Sequence, residues 1–123
     1  MMQGSVNPRR EAILRLRLRG LSGIEQGVDF VIDTGFDSTL VVPQRVAEAL
    51  GFVFAGTHDA ILADGRLQST RMYLGEVEWD GVFQPIYFIG VGDEALIGTE
   101  MLNRHELRIE FTPGGMVEIS ELP

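Results

Sequence analysis

Phe30-Val31-Ile32-Asp33-Thr34-Gly35-Phe36-Asp37-Ser38 is the stretch of this chain richest in chemistry. Three apolar residues lead into an ionisable one, and Thr and Gly follow at once. A carboxylate set directly after a buried apolar strand is costly unless it is partnered or has a task. Asp33 is therefore the candidate catalytic group, with Thr34 and Gly35 shaping its loop. A plainer role is open to the same residues, because Asp-Thr-Gly is also good Asx-turn chemistry after a strand. Asp37 and Ser38 read as loop-ordering or substrate-contacting groups rather than catalytic ones.

Other chemistries lack their residues or their motifs. The chain has no Cys, which removes thiol nucleophiles, disulfides and Cys-based zinc sites. All ten cationic residues are Arg, so Lys Schiff bases and P-loops are excluded. No Ser sits in anything like a nucleophile elbow. His58 and His105 lie far apart without ligand spacing, so neither a metal nor a cofactor is expected.

A net charge of −8 would repel phosphate backbones, and no nucleic-acid partner is expected. The cluster Arg9, Arg10, Arg15, Arg17 and Arg19 reads as a solvated strand face. Charge or Gly interrupts each apolar stretch well short of a membrane span, so no membrane partner is expected either. Met1 to Pro8 has no apolar core of signal-peptide type, which makes the cytoplasm the default address.

The elements that must hold Asp33 are mostly strands. At 123 residues the chain fits one domain, and 15 Gly favour a turn-rich fold. Residues 1–10 read as a flexible N-terminal arm and 11–123 as a single domain. Leu14, Leu16 and Leu18 alternate with Arg15, Arg17 and Arg19, the pattern of a half-buried strand. Gly20 to Gly23 turn the chain into a partner strand over 24–32. Thr39–Val42 is a short strand; Pro43 suits the first position of a helix through Leu50, which Gly51 closes. Asp64-Gly65 and Asp80-Gly81 sit between apolar-rich arms and signal two hairpins. Ala95-Leu96-Ile97 is a short buried strand, Thr99 caps a brief helix through Leu102, and strands over 107–111 and 116–119 finish the chain. The expected fold is mostly β, with one or two short helices.

Two apolar residues before Asp33-Thr34-Gly35, then the Ala63-Asp64-Gly65 hairpin, then Leu96-Ile97-Gly98 opening a short helix, occur in a telling order. In that order and strand context the chain resembles the retropepsin-like aspartic proteases from about residue 12 to 119. The resemblance implies a closed, barrel-like acid-protease domain and a homodimer in which two copies of Asp33 meet across a two-fold axis. Two touching carboxylates share a proton, and the pair can activate a water against a peptide carbonyl. The implied reaction is endopeptidase hydrolysis of peptide or protein substrates, with no metal and no cofactor.

The same resemblance implies roles for the neighbours. Thr34 would hydrogen-bond across the axis, and the Gly35 N–H would reach the carboxylate. Ala63, Asp64 and Gly65 would form a flap over substrate, and Leu96, Ile97 and Gly98 would support the active loop. Phe36 stands where relatives often carry Ala or Ser, and it would line a substrate pocket with Asp37 and Ser38. Asp64 and Arg66 depart from a Gly-rich flap tip. The competing expectation is a non-catalytic module of the same fold that binds extended peptides in the dimer groove by strand addition.

Overall fold

A computed structural model describes residues 1–123 as ten strands and two short helices. The strands are β1 (Met2–Val6), β2 (Ala12–Arg19), β3 (Glu25–Ile32), β4 (Leu40–Val42), β5 (Val53–Ile61), β6 (Leu67–Trp79), β7 (Val82–Gly90), β8 (Leu96–Ile97), β9 (His105–Ile109) and β10 (Met116–Glu121). Helix α1 (Gln44–Ala49) lies between β4 and β5, and α2 (Thr99–Leu102) follows β8.

Alternation decides the faces. On β2, Leu14, Leu16 and Leu18 are buried while Arg15 and Arg17 are exposed. Each arginine meets a carboxylate on a neighbouring strand: Arg15 with Asp29 at 3.0 Å, Arg17 with Glu25 at 3.4 Å, and Arg19 with Glu76 at 2.9 Å. The run is thus a solvated strand face, and its outer pairs contribute little to stability.

Strands β6, β7, β4, β8, β3 and β2 follow one another by hydrogen bonding, and β2 returns to β6. The result is a closed six-stranded barrel. Its closing seam is short, with Leu18 opposite Val77 and Arg19 opposite Glu76. Phe30, Phe88, Leu14, Leu18, Leu40 and Ile97 are fully buried in one core cluster. Burying such a side chain contributes about 1.5–3 kcal/mol relative to leaving it exposed.

Residues 1–10 do not form a loose arm. Met2 to Ser5 pair with β10, Ser5 and Val6 pair with β2, and Val6 is buried. The physical reason is edge pairing: β2 and β10 each present backbone groups that a short strand satisfies whatever its side chains. Gly4 permits the approach, since a Cβ there would strike the Ile13 carbonyl. Strands β2, β1, β10 and β9 thereby form a terminal sheet extending from the barrel.

Two helix starts fall one residue from expectation. Pro43 is the N-cap of α1, in extended geometry, and Gly98 rather than Thr99 is the N-cap of α2. Both hairpins form. Asp80 and Gly81 take positive φ (52° and 81°), a two-residue turn matched to strand twist. The other turn is longer: Leu62 N–H donates to Arg66 O at 2.8 Å, Gly65 N–H donates to Leu62 O at 2.9 Å, and only Gly65 has positive φ.

Candidate active site

Asp33 begins where β3 ends, beside β8, which runs parallel to it with Val31 opposite Leu96 and Ile32 opposite Ile97. β8 also pairs antiparallel with β4, so it lies between the two strands that flank the Asp33 loop. The Asp33 N–H donates to Ile97 O at 2.9 Å, and the Phe36 N–H closes the turn onto Asp33 O at 3.1 Å. Within the turn, Gly35 N–H donates to Asp33 Oδ1 at 2.9 Å. That is an Asx-turn, and it fixes the direction of the carboxylate. The other oxygen, Oδ2, accepts no hydrogen bond within the chain.

The start of α2 holds the far side of the loop. Gly98 N–H donates to Thr39 O, Thr99 N–H to Phe36 O and Glu100 N–H to Ser38 O, at 2.8, 2.8 and 3.1 Å. Gly98 is buried against the loop, and a Cβ on it would lie 2.6 Å from Phe36 Cδ2 and closer still to Ser38 O. Leu96, Ile97 and Gly98 are therefore brought against the Asp33 loop as one backbone platform.

Two grooves share Glu94 and Leu96 in their linings. One, of about 390 Å³, is lined by Asp33, Thr34, Val31, Arg10, Glu94 and Phe111 among others. The second, of about 490 Å³, takes Phe36 and Asp37 from the loop and His58, Ala60 and Thr70 from β5 and β6. Ser38 faces a third depression of about 360 Å³ with Thr39, His58 and Tyr87. Asp33 and Thr34 thus line one groove, and Phe36 and Asp37 another.

The hairpin of β5 and β6 is exposed along much of its length, with Ile61 78% and Leu67 67% exposed. Its tip residues Ala63, Asp64 and Gly65 line none of these three grooves in the single chain. Asp64 is engaged locally, accepting Arg66 N–H at 3.0 Å and Arg66 Nε–H at 2.5 Å. The hairpin residues that face the loop are instead His58, Ala60 and Thr70. His58 and Ala60 share one face by alternation, and Thr70 pairs directly with His58. Strand alternation on 58–60 was the signal for them, but nothing local said which face looked toward Asp33.

A second polar group lies away from the loop. His105, Asp80 and Glu121 have donor atoms within 4.8 Å of one another, which the spacing of the two histidines did not disclose. These residue types could hold a cation, yet the present geometry is that of an ion pair. His105 Nδ1 is 2.8 Å from the carbonyl of Asn103, so it carries a proton, and Nε2 is 2.8 Å from Asp80 Oδ2. A zinc ion between that nitrogen and oxygen would hold them roughly 3.3 Å apart at tetrahedral angles. Desolvation works against the charged ring. It is outweighed by the hydrogen bonds to Asp80 and Asn103 and by the charges of Asp80 and Glu121, which hold His105 above its ordinary 6.5.

In comparison with known proteins, no family model matches this chain and no curated protein matches it significantly.

Proposed function

We propose that two copies of this chain form an aspartic endopeptidase of the retropepsin-like kind, with the two Asp33 carboxylates as its dyad. The observation that carries this reading is the Asp33 loop itself. Its carboxylate is oriented by Gly35, its backbone is pinned to Ile97, and one oxygen is left without a donor in its own chain. Thr34 is exposed beside it, on a face where a second copy could approach.

In such a pair the two carboxylates cannot both ionise easily, so one stays protonated. The ionised carboxylate takes a proton from a water, whose oxygen attacks the peptide carbonyl carbon. The protonated carboxyl donates to the carbonyl oxygen as it becomes a hydroxyl. Collapse of the tetrahedral intermediate breaks the C–N bond: the now-ionised carboxylate takes a proton back from one of its two hydroxyls, and the other carboxyl gives its proton to the leaving nitrogen, so the dyad again holds one proton. A symmetric dimer supplies both roles from one residue type, because a residue on the two-fold axis meets its own copy. In this reading the hairpin of β5 and β6 would fold over a bound peptide and exclude water.

Incubation with a diverse peptide mixture from acid to neutral pH, read by mass spectrometry, tests this. Cleavage by the wild type that vanishes in Asp33→Asn is the expected result. Equal cleavage by both proteins would overturn it. No cleavage by protein shown to be dimeric would favour the peptide-binding module instead.

A further inference from the structure

The 490 Å³ groove between the Asp33 loop and the β5–β6 hairpin has a composition that selects a particular side chain. Its floor is apolar: Val41 and Ile89 are buried, and Phe36 and Leu96 are half-buried. Its rim is acidic, because Asp37, Asp93 and Glu94 line the same groove and are all exposed. Asp93 is already paired, with Arg45 at 3.2 Å. Asp37 and Glu94 meet no cation of the chain. No Lys or Arg lines the groove to neutralise them.

Taking the proposed peptide-hydrolysing site as its basis, we propose that this groove is a specificity pocket for an arginine or lysine side chain of an extended substrate. A long basic residue lays its methylene stem along apolar surface while its charged end stays at the wet rim. The floor offers that surface, and its lining includes an aromatic side chain, Phe36, of the type that attracts a guanidinium. The rim offers two carboxylates with no other partner, which a guanidinium can engage by paired hydrogen bonds. A purely apolar side chain would gain the floor but leave the rim unchanged. An acidic one would meet like charge at the rim, in a chain whose net charge is already −8. The groove sits next to Asp33 through the shared wall of Leu96 and Glu94, so the selected residue would lie near the scissile bond.

The test reads binding without chemistry. Fluorescent extended peptides that differ at one position, Arg, Lys, norleucine or Glu, are titrated onto Asp33→Asn protein at low and high salt. Arg and Lys peptides are expected to bind roughly fivefold tighter than norleucine, the size of one or two exposed charge pairs, with Glu weakest. The preference is expected to shrink at high salt and to disappear in Asp37→Asn/Glu94→Gln. Equal affinities across the series, a preference that survives the double substitution, or no binding of any peptide would overturn the proposal. Cleavage by the wild type is scored separately. Selective binding without cleavage would leave the pocket standing and remove the protease, while cleavage without basic preference would do the reverse.

Discussion

The carbonyl of Ile97 accepts the backbone N–H of Asp33 at 2.9 Å, so the candidate carboxylate takes its position from a strand far along the chain. Gly98, next in sequence, packs its Cα face against Phe36 and Ser38 with no room for a side chain. Support and carboxylate thus form one unit, and damage to the first should reach the second.

Gly98→Ala is expected to cost about 1–3 kcal/mol, the usual range for overpacking. Urea denaturation measures it. Any peptide cleavage should fall further than the lost stability accounts for, because the Asp33 loop must shift to make room. Unchanged stability would mean that the platform is softer than its contacts imply.

The barrel seam should be sensitive to acid. The Arg19 hydrogen bond holds the Glu76 carboxyl below its ordinary 4.5, against the opposing effect of desolvation, and the charge of Arg19 adds to it. A carboxylate with a lowered folded-state pKa gives stability that is present above its unfolded value. That contribution is lost as pH falls through the folded one. The urea midpoint of wild type should therefore approach that of Glu76→Gln as pH drops from about 6 to 3. Parallel curves would contradict this.

His105 has the opposite sign. Its raised pKa gives stability that is complete below the ordinary 6.5 and is lost as pH rises through the folded value. NMR titration of its ring should show the pKa falling in Asp80→Asn and staying unchanged on adding EDTA. Thermal stability should decline from mildly acidic to alkaline pH in wild type, but less so in His105→Gln. A chelator-sensitive titration would mean that Asp80, His105 and Glu121 hold a cation.

The β5–β6 hairpin is expected to be the first segment cut in limited proteolysis, between residues 58 and 70, since exposed ribbons open easily. A peptide that occupies the groove should slow that cut in Asp33→Asn protein. First cleavage elsewhere, or no protection, would deny the hairpin a covering role.

What was legible in the sequence was local. Leu14, Leu16 and Leu18 declared β2 by alternation, Asp80-Gly81 declared its turn by chirality, and Asp33 stood out as a charge after an apolar run. What was illegible came from pairings between distant segments. The insertion of Leu96-Ile97 between β3 and β4, the two-residue seam at Leu18 and Arg19, and the meeting of Asp80 with His105 and Glu121 all depend on topology. Met2 to Val6 read as an arm because Gly4 and Ser5 carry no strand pattern; its order comes from backbone pairing with β2 and β10 and from Val6 and Met2, which pack on the core. The hairpin tip is legible as a turn, while His58, Ala60 and Thr70 on its arms are the residues that line a groove with the loop.

Subunit mixing tests the central claim most directly. Equal amounts of wild type and Asp33→Asn are allowed to exchange, and peptide cleavage is compared with the same total of wild type alone. If each site needs Asp33 from both chains, random pairing leaves about one quarter of the dimers active, and the rate should fall to about a quarter. A rate of about one half, as expected when each chain works alone, would contradict a dyad built across two copies.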